Sequence, residues 1–561
     1  MAPHRALTIP DVLHQVFKHF QTHPWLTAAD AEFVASELPP SLRKKKESCD
    51  PKAHAKDKRR TLARAARTCK AFAEPASHVL WEAVDGLGPI LSVLKNAQTS
   101  SCNDNSPDWA RFEHVARRVR ALLTGRSMSY DVDMLALIRS RYHGGPVLPN
   151  LRAFFYGFPP LDAALLRALC ASAALISIRI TESSTTMSEN LVVISNTCPE
   201  ITHLDVVYYT GLNEDGHRAL AKFNNLHTAQ FTRIDNALFR HLGTLPNLRE
   251  LHGLFAISNS ETGTKEAFPV LQELSVRDNT DDSNFLAALP FISSPSLAVV
   301  SLQAETERTE DLSAYLDTLC ASPALAHLRA LSFDVRLSFN QWEHQDEPFE
   351  GVTLASDVLR PLLRLPRASL EALAVRVVFT TSTVASFTVR DGDLERIAER
   401  WPGLVKLSVA HHIEDDDWPG GPEGIGRPSL GALVSLAERC RRLEVLDVEF
   451  RGVNESDLGA LEARADACET PQRALRQIVD GPGCTDFCWG LYLTDPERVA
   501  AALRKLFPNV GSGLEVVVEG EGTEDEEDEE DVRYRGWDEE NMETDLFGLL
   551  EALEDAHPDE Q

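Results

Sequence analysis

The chain lacks any apolar run near the roughly 20 residues that a membrane-crossing helix needs, so none of its 561 residues reads as part of a span. Its first residues, MAPHRALTIPDVL, have no basic stretch followed by an apolar core, the pattern of a secretory leader. Cysteine is sparse and scattered, ten residues in all. Cys69, Cys170, Cys198, Cys320 and Cys440 stand singly inside apolar segments. That pattern suits reduced, buried thiols rather than a disulfide framework. Cys484 and Cys488 form a C-x3-C pair with no second pair to complete a zinc site. A soluble intracellular protein is the expectation, in the cytoplasm, the nucleus or both.

Signatures of catalysis are missing as well. GPEGIG (421–426) lacks the Gly-Lys-Ser/Thr ending of a phosphate loop. No G-x-S-x-G nucleophile elbow is found. HHIEDDDW (411–418) gathers histidine and aspartate without a fixed ligand spacing, and reads as a loop that follows a strand. No catalytic residue, metal or cofactor is expected.

Positive charge is in deficit, with a net charge of −29. The deficit is uneven. From Glu519 to Gln561 there are 20 acidic residues and 2 arginines, a net of −18, which leaves −11 for the preceding 518 residues. A body of that charge is a poor general binder of nucleic acid. The exception lies at Ser41–Arg60, where nine Lys/Arg meet three Asp/Glu, including RKKK (43–46) and KDKRR (56–60). With little apolar area to bury, residues 21–60 are expected to form a flexible insert. The insert is either a nuclear localisation signal or a solvated loop.

What is present falls into four zones: 1–95, 96–145, 146–518 and 519–561. In the first, PDVLHQVFKHF places Val12, Leu13, Val16, Phe17 and Phe20 at helical spacing. A second helix, LARAARTCKAF, aligns Leu62, Ala65, Ala66, Cys69 and Phe72, and Pro75 is expected to end or bend it. A short third helix covers ASHVLWEAV. Residues 96–145 read as a helical linker.

From residue 146 one phrase recurs: a leucine-like residue, two variable residues, an apolar one, a variable one and an apolar one. Copies include LRAFFY from Leu151, LISIRI from Leu175, LQELSV from Leu271, LRALSF from Leu328 and LEVLDV from Leu443. The first seven copies start 22 to 26 residues apart, and later ones 31 to 42. Each phrase alternates like a strand with one buried face. Helical segments such as NEDGHRALAKF lie between copies. One strand and one helix cannot bury both apolar faces, whereas a stack of such units closes a continuous core. The expected fold is α/β: a small helical N-terminus, then a solenoid with an inner parallel sheet and outer helices.

The phrase resembles a leucine-rich repeat, best in LQELSVRDN (271–279), where Asn279 takes the family's asparagine position. The N-terminal helices resemble an F-box, and look like the divergent F-boxes of mushroom-forming fungi. LTIPDVLHQVF supplies Leu7, Pro10, Leu13, Val16 and Phe17. LARAARTCKAFAEPASHVLW supplies Leu62, Ala66, Cys69, Lys70, Phe72, Leu80 and Trp81. Two features depart from the family pattern: the insert between the halves, and Thr68 in place of the usual valine before Cys69. The resemblance implies docking on a Skp-family adaptor of a cullin–RING ubiquitin ligase through Leu7, Pro10, Leu13, Val16, Phe17, Leu62, Ala66, Cys69 and Lys70. The chain would then be the substrate-recognition subunit. The alternative is a ligase-independent repeat scaffold with a degenerate F-box.

In such a solenoid alternate strand residues leave the core. Phe155, Arg179, Asp205, His252, Arg277, Arg376, Asp447 and Glu449 are the candidate substrate contacts. Their mixed charge and few aromatics suit a protein or peptide partner. The acidic end (519–561) is expected to be largely disordered. Its apolar segment NMETDLFGLLEAL reads as a partner-docking helix, an activation segment or a cap on the last repeat.

Overall fold

The computed structural model describes residues 10–20, 51–98, 109–124, 132–143, 145–157, 162–181, 186–207, 212–257, 267–279, 285–306, 309–337, 352–365, 370–379, 386–413, 427–448, 450, 455–467, 471–479 and 496–509. No helix among them is long and apolar enough to cross a membrane. The chain forms two compact units, divided after Thr232.

The first unit opens with three helices: α1 (Pro10–Lys18), α2 (Pro51–Thr68) and α3 (Lys70–Glu82). Leu13, Phe17, Leu62, Ala76 and Val79 form their shared core, flanked by Phe20, Ala65, Ala66, Phe72 and Leu80. Phe17 and Phe72 meet edge to face at 5.6 Å. The two halves of the N-terminal pattern therefore meet across the insert. Two expectations are corrected here. The helix through LARAARTCKAF breaks at Cys69, which is extended (φ −157, ψ 161), and not at Pro75. Pro75 lies buried within α3, where burial of Ala76 and Val79 beside it outweighs the lost backbone hydrogen bond. The break also leaves Cys69 exposed instead of buried. Residues 51–60, expected to be flexible, extend α2 at its start; RKKK lies outside the described residues.

The sheet of this unit runs β1 (Ala83–Asp85), β2 (Ala121–Thr124), β3 (Ala153–Tyr156), β4 (Ser177–Thr181), β5 (His203–Val207) and β6 (Thr228–Asp235), each pairing in parallel with the next. The sheet thus begins before residue 146. Residues 96–145, read as a linker, contribute β2 and the helices Trp109–Ala116 and Val132–Tyr142 in the same helix–strand rhythm. Arg118, 7% exposed, ties α3 to this layer, its guanidinium 2.6 Å from Glu74 and 2.7 Å from His114 Nε2.

The second unit has a parallel sheet in the order β7 (Glu250–Ala256), β8 (Glu273–Asn279), β9 (Val299–Thr306), β10 (Ala330–Leu337), β12 (Ala372–Phe379), β14 (Lys406–Ile413), β15 (Val445–Val448) and β16 (Gln477–Val479). β11 (Val352–Leu354) and β13 (Ser386–Thr388) pair separately, inside one of the longer repeats. The recurring phrase is the structural unit. Its opening leucine is buried in every described copy, as at Leu151, Leu271, Leu328 and Leu443. Its alternation gives one buried face, as Ile178 and Ile180 show around half-buried Arg179. The strand–helix repeat of each unit resembles a leucine-rich-repeat architecture.

Helices of successive repeats lie side by side and are cross-linked by ion pairs. Arg364 reaches Asp317 at 2.8 Å, Arg498 reaches Glu462 at 2.6 Å, and Lys505 reaches Asp466 at 2.6 Å. Asp162, Asn213 and Asp235 cap their helices, each accepting from the N–H three residues on.

At several joints short polar connectors tie a repeat to the one before. Ser172 donates to Pro149 O and Leu151 O at 2.9 Å, Ser294 to Leu271 O at 2.6 Å, and Asn150 to Arg117 O at 2.6 Å. Buried Gln472 donates to Cys440 O (3.3 Å) and Leu443 O (2.9 Å) and accepts from Leu475 N–H (2.7 Å). These side chains satisfy buried backbone groups at the joints between repeats. Gln472→Leu keeps the volume but strips three buried backbone groups of a partner. On the order of 3 kcal/mol of second-unit stability should be lost, read as a lower denaturant midpoint. An unchanged midpoint would show that Gln472 is not a tie between repeats.

Candidate docking surfaces

Two surfaces carry the sequence-predicted contacts: one on the N-terminal helices, the other on the open faces of the sheets. On α1, Leu13 and Phe17 turn inward, at 2% and 7% exposure. Val12 and Val16, four residues apart on one side of the helix, are 40% and 46% exposed. Leu62 on α2 is buried, Ala66 half-buried, and Cys69 and Lys70 exposed. The sequence-predicted adaptor contacts therefore divide. Leu13, Phe17 and Leu62 hold the helices together, whereas Val16, Cys69 and Lys70 face outward. Val12, not among the predicted contacts, joins the outward set. Leu7 lies outside the described residues, as does the side chain of Pro10.

The joint between α1 and α3 contains a histidine pair. His14 and His78 meet edge to face at 5.0 Å. Burial pushes His78 below its ordinary value of 6.5; His14, Arg120 and Arg118 push the same way, and Glu82 opposes them. The unfolded chain thus binds this proton more readily than the folded one. The stabilisation is complete above pH 6.5 and is lost as pH falls through the depressed folded value. Hydrogen exchange of α1 should speed up, beyond its intrinsic pH dependence, between pH 7.5 and 5.5, and His78→Gln should flatten that change. An equal response in the variant would assign it to other groups.

On the open face of the first sheet, Phe155, Arg179, Asp205 and Gln230 are register partners on β3, β4, β5 and β6. Arg179 pairs with Asp205 at 3.0 Å and stacks over the Phe155 ring at 5.8 Å. The structure brings three predicted contacts into one cluster. In the second unit, Arg277, Gln303, Asp334 and Arg376 are register partners on β8, β9, β10 and β12. His252 is buried on β7, one row earlier. Asp447 accepts from Ser408 at 2.7 Å on the neighbouring strand. Glu449 lies outside the described residues.

The row containing His252 holds a feature the sequence reading passed over. Ser275, Ser301, Ser332 and Ser408 follow in register, with Ala374 between the last two. Its signal was present: serine recurs at the same variable place in LQELSV, LAVVSL, LRALSF and LVKLSV.

Among the described residues no group of three or more His, Cys, Asp or Glu is placed to hold a metal ion. In HHIEDDDW, residues 411–413 continue β14 as a strand, and the remainder lies outside the described residues. Burial pushes the Cys440 thiol up to about 12, so it is no nucleophile at neutral pH.

No family model matches the chain, and no curated protein matches it. Solved structures do. An internalin (inlF) from Listeria monocytogenes aligns with a TM-score of 0.36 at 11% identity, over 75% of this chain and 93% of that one. A Bacteroides fragilis protein aligns with a TM-score of 0.27 at 13% identity, over 54% of this chain and 75% of that one.

Proposed function

We propose that the chain is a protein-binding repeat scaffold whose N-terminal helices dock on a Skp-family adaptor, and through it on a cullin. It would be the substrate-recognition subunit of a ubiquitin ligase. One observation carries the reading. The two sequence halves that resemble an F-box are separated by the insert, yet they pack into one three-helix core and leave Val12 and Val16 exposed beside it. An exposed apolar pair on a nine-residue helix suits a partner surface better than solvent.

The repeats supply the second half of the function. Their open strand faces present aromatic, guanidinium and carboxylate groups in register, the chemistry of a specific protein contact. No residue of the chain need be catalytic. Holding a substrate near a charged conjugating enzyme raises the effective concentration of the reacting groups. Such a subunit works in the cytoplasm or nucleus. The burial of Leu13, Phe17 and Leu62 favours a second reading, a ligase-independent scaffold, because those side chains are spent on the fold.

The test is capture of partners on the full-length chain from cells with the ligase inactivated. Arg179→Glu should lower recovery of a protein partner several-fold and leave adaptor recovery unchanged. Equal loss of both, or of neither, would count against the first sheet's open face as the recognition surface.

A further inference from the structure

We propose that the serine row on the open face of the second unit is a furrow that takes an extended, acidic peptide segment of a partner protein. This assignment takes the open strand faces as recognition surfaces and does not depend on the adaptor. Ser275, Ser301 and Ser332 are register partners on β8, β9 and β10, followed by Ala374 on β12 and Ser408 on β14. Leu274 and Val276, on either side of Ser275, are fully buried, so alternation turns Ser275 to the open face. Serine is a poor choice within a strand, where β-branched side chains pack better. The fold does not use these hydroxyls. Ser275 is 6% exposed, yet its hydroxyl has no partner among the described residues, and the same holds for half-buried Ser301 and Ser332. Serines elsewhere in the chain are bonded: Ser172 to Leu151 O, Ser294 to Leu271 O and Ser408 to Asp447. A buried hydroxyl without a partner costs stability, and the backbone groups of a ligand would offset that cost.

The residues beside the row select what fits. Two places earlier on the strands, Val299, Ala330 and Ala372 are buried, so the furrow is closed and apolar on that side. Two places later stand Arg277, Gln303, Asp334 and Arg376, register partners on the same four strands. Two guanidiniums meet one carboxylate in that flank, so it favours a ligand that brings carboxylates. Strands lie about 4.8 Å apart, so Ser275 to Ser408 spans about 19 Å, the length of about six extended residues. A serine hydroxyl both donates and accepts, and so meets either the N–H or the C=O of a backbone that crosses the strands. Small side chains along the row leave room for that backbone to approach.

The experiment selects phage-displayed random peptides, about twice that length, on the full-length protein and measures the recovered peptides by fluorescence anisotropy. Acidic peptides are expected. Ser275→Ala/Ser301→Ala/Ser332→Ala and Arg376→Glu should each weaken their binding about tenfold, and Arg179→Glu on the first sheet should leave it unchanged. The triple alanine variant should also keep or raise the denaturant midpoint of the second unit, because it removes hydroxyls that bond to nothing in the fold. The proposal is overturned if no selected peptide depends on the serines and Arg376, or if binding depends equally on Arg179. A lowered midpoint in the triple variant overturns it as well, by assigning the hydroxyls to the fold. Adaptor binding enters none of these readouts.

Discussion

Leu13→Ala is expected to release α1 from the helices it packs on. Leu13 is 2% exposed at the centre of the cluster with Phe17, Leu62, Ala76 and Val79. Truncating such a leucine costs about 2–5 kcal/mol, by lost burial and the cavity left behind. A helix of nine residues does not hold its shape in water alone. Hydrogen exchange over residues 10–18 should therefore accelerate about 30-fold or more. Amides in β3–β6 should keep their protection, because the phrase leucines that support them lie in a separate core. Equal loss of protection everywhere would mean that the helices and sheet form one cooperative unit; no change would mean that α1 is held by other contacts.

Val12→Asp/Val16→Asp tests the outward face of the same helix. Both side chains are 40% or more exposed, so the fold should lose little. If these valines enter an apolar groove on the adaptor, burying two carboxylates there is costly. Each replacement should remove about 2 kcal/mol of binding, on the order of 100- to 1,000-fold together. Near-native stability with lost capture is the expected combination. Retained capture would place the adaptor surface elsewhere on the helices. Loss of both stability and capture would show that the valines serve the core.

The repeats were legible because a strand phrase needs the same apolar places wherever it occurs. Leu151, Leu271 and Leu443 obey one rule, and the structure buries all three. Register was legible too, because equal places of the phrase pair across strands, as Arg179 and Asp205 do at the fifth place of LISIRI and ITHLDV. The side-chain contacts were not: that Arg179 turns to Asp205 and also stacks on Phe155 is a matter of rotamer, which leaves no periodic trace. The break at Cys69 was hidden for another reason. LARAARTCKAF keeps helical spacing across it, although Leu62 on one side of the break and Ala76 and Val79 on the other enter one cluster with Leu13 and Phe17. The connectors were visible as Pro-Asn and Ser-Pro pairs, but their role was not. That Ser172, Ser294 and Gln472 tie one repeat to the backbone of the one before needed the coordinates. On α1, helical spacing put Val12 and Leu13 on the same face, and the structure separates them into a solvent side and a core side.

The central claim is that these helices present an adaptor surface. It is tested most directly by co-expressing the full-length chain with a Skp-family adaptor and measuring the mass of the purified species by light scattering. The account predicts a stoichiometric one-to-one complex that survives gel filtration and disappears for Val12→Asp/Val16→Asp. A folded full-length chain that elutes free of the adaptor at micromolar concentration would contradict it.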